Sequence, residues 1–246
     1  MFDPNWSLPE HDLTLSPSEV HVWRAKLDEE GRSQTIYKPL LSPDELIVAN
    51  RFFFEHDRIR YITSRGTLRF ILANYLSMDP QMITIVQDQF GKPLLENDPH
   101  HIQFNLSHSN GLGLFAFTIG HRIGIDVERV LPLRDFEQMA DFFLSPNEME
   151  ALDRLPGESR LDGFYAAWTR KEAFVKALGV GIGNSLDKFE VNVSPDEEPV
   201  ITALHQEIAN GSVWRLLDLK PDPNYAAALA VDSDEISLRL FDFRTG

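Results

Sequence analysis

The chain contains no cysteine, which excludes a disulfide framework, a thiolate metal site and a cysteine nucleophile, and fits a cytoplasmic home. It has no apolar stretch long enough to span a bilayer, and Met1 to Trp6 lack the basic start and apolar run of a signal peptide. A soluble protein is expected. Positive charge is scarce too: 23 Lys and Arg stand against 38 Asp and Glu, a formal net charge of -15. That deficit argues against nucleic acid and anionic membrane as partners. A phosphate ligand must then find a local basic island or arrive with a metal. No internal repeat or low-complexity linker is visible. At 246 residues the chain is long for one domain and natural for two of about 120, each large enough to bury a core.

What is present centres on Gly124-Ile125-Asp126-Val127-Glu128. Side chains alternate faces along a strand, so Ile125 and Val127 enter a core while Asp126 and Glu128 share the opposite face. Residues two apart on one face lie roughly 7 Å apart, close enough to share one hard cation. An exposed strand edge with both charges in water gives the same pattern. A second stretch, Trp168 to Gly179, reads as the end of a helix closed by glycine. Trp168, Glu172 and Lys176 stand four apart and line one face. Glu followed by Lys at that spacing is an ordinary surface pair worth a few tenths of a kcal/mol, but Trp168, Phe174, Val175 and Leu178 surround it with bulk.

Along the rest of the chain, His21 to Leu27 alternates as an opening strand, and Ser42-Pro43-Asp44-Glu45 is a capped helix start. The helical stretch from Asp57 to Leu76 carries the basic island. Residues 51 to 70 hold five arginines, with Arg58, Arg65 and Arg69 in a narrow arc of the helical wheel and Arg60 on another side. Ile83 to Val86 reads as a strand and Phe90-Gly91-Lys92-Pro93 as a turn presenting one lysine. Ile102 to Leu106 leads through Ser107-His108-Ser109-Asn110-Gly111 into Leu112 to Ile119, a strand apolar on both faces. Serine beside histidine suggests a hydrolase, but neighbours on a turn rarely aim at one another and no Gly-x-Ser-x-Gly elbow is present. Beyond Val127, Phe136 to Phe143 reads as helical, and Ser145-Pro146-Asn147-Glu148 is a second capped start in which Glu148 closes a capping box. Gly179, Gly181 and Gly183 follow a helix and precede none, so they are not a dinucleotide fingerprint. Strand-like runs at Phe189 to Val193, Val213 to Leu219, Ala226 to Val231 and Ile236 to Phe243 give helices followed by a mostly antiparallel sheet.

Gly-Ile-Asp-Val-Glu, followed about forty residues later by Trp-Thr-Arg-Lys-Glu-Ala with Lys176 beyond, resembles the signature of the Sfp-type 4'-phosphopantetheinyl transferases. Weaker similarity runs from about His21 to Val193. The resemblance implies an α+β fold of two similar subdomains about a pseudo-twofold, residues 1–122 and 123–246, with the active site between them in a monomer. It implies transfer of the phosphopantetheine arm of coenzyme A to a serine of apo acyl or peptidyl carrier proteins of fatty acid, polyketide or nonribosomal peptide synthesis, releasing adenosine 3',5'-bisphosphate. Asp126, Glu128 and Glu172 would hold Mg²⁺, with Glu172 or Glu148 as the base and Lys176 offsetting charge on the pyrophosphate. Arg60, Arg65, Lys92, Ser107 and His108, with Lys176, would bind coenzyme A. Some members place lysines ahead of the basic helix where this chain has Glu45 and Val48. Acyl carriers are themselves usually acidic, so docking would rely on apolar contact and local arginines. Two other classes would use the same residues: a non-catalytic module binding coenzyme A or a carrier, and a Mg-dependent nucleotide phosphohydrolase.

Overall fold

A computed structural model describes residues 6–10, 13–133, 136–179, 186, 188–205 and 211–244. In chain order, β1 (Glu19–Lys26) leads to the single turn α1 (Glu30–Arg32), the short α2 (Pro43–Ala49) and the 22-residue α3 (Glu55–Leu76). The strands β2 (Ile85–Gln87), β3 (Pro93–Leu95), β4 (Ile102–Ser109), β5 (Leu112–Ile119) and β6 (Ile123–Arg129) follow. Next come α4 (Phe136–Ala140), α5 (Pro146–Asp153) and α6 (Arg160–Leu178), then β7 (Phe189–Val191), β8 (Ile201–Leu204), β9 (Arg215–Leu219), β10 (Tyr225–Val231) and β11 (Ser237–Asp242). The expected α+β class is observed. The strand expected at Ile83 starts two residues later, leaving Ile83 buried in a loop. Gly179 ends α6 in the left-handed region, at φ 68°. Gly181 and Gly183 lie outside the described residues.

One sheet runs β11-β1-β5-β4 and another β6-β10-β9, with β2-β3 and β7-β8 as separate hairpins. Side-chain parity stacks these into helix, sheet, sheet, helix. On the first sheet, Trp23, Ala25, Phe115 and Phe117 point at Leu68, Ile71 and Leu72 of α3. The alternate residues Val20, Val22, Leu114 and Ala116 meet Ile123, Ile125, Val127 and Leu229 of the second sheet. The far face of the second sheet, through Ala228 and Ala230, packs on Ala173, Phe174 and Ala177 of α6. β5 is therefore apolar on both faces because it is buried on both.

Sheet membership parts from chain order at one end. A boundary near residue 122 separates β5 from β6, yet β11 returns to the first sheet and pairs in parallel with β1, Val22 opposite Leu240. Leu238 and Leu240 of β11 turn into the core between the sheets while Phe241 faces the α3 side. The last strand thus leaves the antiparallel C-terminal sheet β6-β10-β9 and supplies the parallel pairing that a mostly antiparallel arrangement leaves room for. Its alternation of apolar faces suits a strand between two cores, which is the setting on β1 and not on the outer edge at β9.

Helix α6 lies on β6 at one point of near contact. A Cβ added to Gly124 would stand 2.1 Å from the carbonyl oxygen of Ala173 and 2.3 Å from the amide nitrogen of Ala177. Both are backbone atoms of a buried helix, so neither yields as a flexible side chain would. Gly124→Ala is expected to lose roughly 1–3 kcal/mol of stability as α6 is pushed off the strand, measured by urea unfolding. Gly157→Ala, where nothing lies within 4 Å, should leave the midpoint close to that of the parent protein.

Candidate active site

Side chains, not a backbone ladder, join β4 to β6 where the edges of the two sheets meet. Small polar residues at alternate positions of β4 reach across. The Asn105 Oδ1 accepts from the Ile125 amide at 2.9 Å, the Ser107 hydroxyl donates to Asp126 Oδ1 at 2.9 Å, and the Ser109 hydroxyl donates to Glu128 Oε2 at 2.7 Å. The parity that sends Ile125 and Val127 into the core leaves Asp126 and Glu128 on the other face, with α6 above them.

From α6, the Lys176 ammonium donates to Asp126 Oδ1 at 2.6 Å, to Ser107 Oγ at 3.1 Å and to the Ile125 carbonyl at 3.3 Å. Asp126 is 3% exposed, and its second oxygen, Oδ2, is buried with no hydrogen-bond partner. A buried carboxylate oxygen left unmatched costs free energy on the scale of a lost charged hydrogen bond. Glu172, one turn before Lys176, is pushed up to about 7, first by burial and then by the charge on Asp126, with Lys176 opposing and Glu128 adding. Glu128 is also raised, by burial and by Asp126, although the bond from Ser109 works against this. The negative charge here exceeds what one ammonium neutralises.

That excess fits a cation. Among the described residues no three His, Cys, Asp or Glu side chains form a ready enclosure for a metal. Asp126 Oδ2, with Glu128 and Glu172 beside it, supplies a partial set of hard oxygen donors. This suits Mg²⁺, which takes one or two protein carboxylates and fills its octahedron with waters and substrate phosphate oxygens.

The other expected site residues divide. His108 stands at the β4 end, its ring edge open to solvent but crowded by neighbours, and its pKa is lowered, first by desolvation and then by the cations Lys176, Arg65 and Arg60. Those groups form a positive rim beside the carboxylates. Arg60 donates to Asp28 through Nε at 2.6 Å and through Nη2 at 3.3 Å, and Arg65 lies over the Tyr61 ring at 5.5 Å. Arg69, on the same helix, is instead buried and spent on Glu45 and the carbonyls of Pro80 and Ile83, a brace within the first half. Lys92 directs its ammonium at two backbone carbonyls, those of Ile123 and Lys176.

Glu148 is not brought to the carboxylates. It closes the capping box with Ser145, receives the Lys171 ammonium at 2.8 and 3.1 Å and accepts from the Val191 amide at 2.8 Å. A carboxylate 2% exposed needs its oxygens filled in this way, so the expectation of a metal or base role gives way to that of a structural anchor. Lys171 was missed in the sequence, although its place next to Glu172 turns it about 100° around the helix from that residue. Asn105 and Ser109 were missed as well; their signal is the polar alternation at 105, 107 and 109.

Two family models divide the chain: "4'-phosphopantetheinyl transferase, N-terminal" over residues 31–118 and "4'-phosphopantetheinyl transferase superfamily" over residues 122–230. The 4'-phosphopantetheinyl transferase HetI of Nostoc is 38% identical over 233 residues, 94% of this chain and 95% of that protein. The 4'-phosphopantetheinyl transferase Sfp of Bacillus subtilis is 29% identical over 160 residues, 65% of this chain and 70% of its own. Among solved structures, that of Helicobacter pylori holo-[acyl-carrier-protein] synthase with coenzyme A matches over 45% of this chain and 99% of its own, at 28% identity and a TM-score of 0.34. This chain belongs to the Sfp-type 4'-phosphopantetheinyl transferases.

Two expectations follow. Lys171→Met should cost roughly 3–5 kcal/mol by leaving Glu148 charged and buried, and Lys171→Met with Glu148→Gln should cost less than the single change in urea titrations. For Glu172, a folded pKa of about 7 lies above the ordinary 4.5. The unfolded chain therefore releases this proton first, and stability falls as pH rises from about 4.5 to 7. In metal-free protein, Glu172→Gln should raise stability at pH 8 by roughly 3 kcal/mol, and by much less at pH 5. Equal effects at both values would contradict the raised pKa.

Proposed function

We propose that the protein moves the 4'-phosphopantetheine arm of coenzyme A to a serine of an apo carrier protein, acyl or peptidyl, acting as a monomer. The observation that carries this reading is the buried Asp126, held on one oxygen by Lys176 and Ser107 and bare on the other, beside Glu172 at a pKa of about 7. A general base works best when its pKa lies near the operating pH. Glu172 would take the proton from the carrier serine. The serine oxygen then bonds to the phosphorus of the arm as the bond from that phosphorus to the bridging oxygen breaks, and the electron pair leaves with adenosine 3',5'-bisphosphate.

The remaining groups act through position and charge, which is where most catalysis of phosphoryl transfer lies. Lys176 faces the pyrophosphate while fixing Asp126. Ser107 and His108, at the β4 end, offer hydroxyl and imidazole to phosphate oxygens, and Arg60 and Arg65 stand ready for the nucleotide end. Arg60 must exchange the exposed Asp28 for that partner. Mg²⁺, held by Asp126 and Glu128, would supply charge neutralisation on the transferred phosphate; Glu172 would be its third ligand only where another group takes the serine proton.

The test is intact-mass analysis of apo acyl and peptidyl carriers incubated with the protein, coenzyme A and Mg²⁺. A gain of one phosphopantetheine, abolished by EDTA, is expected. Asp126→Ala should fold yet transfer about a hundredfold more slowly or worse. Consumption of coenzyme A with no carrier modified would replace this reading with a hydrolase, and coenzyme A binding with no turnover would replace it with a binding module.

A further inference from the structure

The Lys92 ammonium touches both elements that carry the reacting groups. It donates to the Lys176 carbonyl at 2.9 Å, in the last turn of α6, and to the Ile123 carbonyl at 3.0 Å, at the start of β6. Lys176 is the residue whose side chain meets Asp126, and Ile123 precedes the glycine on which α6 rests. Carbonyls in the last turn of a helix have no partner within it, and a cation there also meets the negative end of the helix dipole. The mounting of Lys92 is stiff. Asp88 Oδ1 accepts from the amides of Phe90 and Lys92 at 2.8 and 2.9 Å, the Asp88 amide donates to the Lys92 carbonyl at 3.0 Å, and Gly91 takes φ 84° in the turn.

We propose that Lys92 is a positioning residue, a clamp from the first half of the chain that fixes the end of α6 against the start of β6 and so sets Lys176 and Glu172 over Asp126. The resemblance instead assigns this lysine to coenzyme A. A cavity of about 510 Å³, lined by Phe90, Lys92, Gln103, Arg122 and Leu178 among others, gives that competing role a place to act. The geometry favours the clamp because both bonds of the ammonium go to backbone that carries the site. Lys92 is also pushed down to about 8, chiefly by burial, with Asp88, Arg122 and Asp232 the charged groups that face it. A lysine waiting for a phosphate in open solvent would not be so desolvated.

The proposal rests on the transferase reading only for its kinetic arm. Three quantities are measured on Lys92→Met: coenzyme A affinity by calorimetry with Mg²⁺, hydrogen exchange along residues 172–179, and kcat on whichever carrier the parent protein modifies. The clamp predicts affinity within about threefold, exchange in the last turn of α6 faster by roughly tenfold with the middle of α3 unchanged, and kcat lower by about ten- to a hundredfold. Because the native chain has no cysteine, alkylating Lys92→Cys with 2-bromoethylamine restores an ammonium at this position alone, and should restore protection and kcat together. Coenzyme A affinity weaker by about tenfold or more, with α6 exchange unaltered, would overturn the proposal in favour of a ligand contact. If Lys92→Met unfolds, Lys92→Arg makes the same decision. A phosphate contact tolerates the retained charge in both affinity and kcat, whereas a slot for a compact ammonium between two carbonyls keeps affinity and loses kcat. If no carrier is modified by the parent protein, the transferase reading fails by itself, and affinity and exchange still decide the clamp.

Discussion

The backbone of α6 rests directly on the backbone of β6 at Gly124, and the chemistry of the site follows from that closeness. With any side chain at this position the helix would stand off the strand. Asp126 would then face a gap in place of Lys176, and the 2.6 Å pair between them would open. Close approach also excludes water, which strengthens every charge interaction between helix and strand. The same approach leaves Asp126 with an oxygen that nothing in the described protein fills. The site is thus held in a state that folding alone does not satisfy.

The surrounding structure keeps this state from collapsing. Three polar side chains of β4 sew one sheet to the other at the carboxylates. Glu148 and Lys171 bind α5 and the strand after α6 to the inner side of the helix. Arg170, fully buried, reaches Asp218 of β9 and the carbonyls of Asn192 and Ser194. Adjacent residues on α6 therefore do different things: Arg170 and Lys171 fasten the helix to its own half, and Glu172 turns towards the carboxylates of β6. A helix so fastened has one rotation about its axis open to it, and that rotation decides where Glu172 and Lys176 point.

Much of this was legible in the sequence for a simple reason. The alternation in Gly-Ile-Asp-Val-Glu names the face of each side chain, and four-residue spacing does the same for Glu172 and Lys176, so both halves of the carboxylate cluster were visible before any packing was known. The parity of β5 likewise announced burial on both faces. What was not legible depends on contacts distant in sequence. Nothing near Lys92 says that its partners are carbonyls 31 and 84 residues away. Nothing near Glu148 distinguishes a cap that also holds a buried lysine from a carboxylate turned to a metal. Arg65 and Arg69 share an arc of the helical wheel, yet Arg69 is buried while Arg65 is not, because the carbonyls of Pro80 and Ile83 that receive Arg69 lie beside its turn of the helix.

The return of β11 to the first sheet bears on how the protein is made. Arg24 and Asp242, paired between β1 and β11, are 218 residues apart in sequence. During synthesis β1 leaves the ribosome about two hundred residues ahead of the strand that covers its edge, and domains that fold in order of emergence cannot complete this sheet first. The amino-terminal half must wait with an open edge, a surface prone to pairing with the wrong strand.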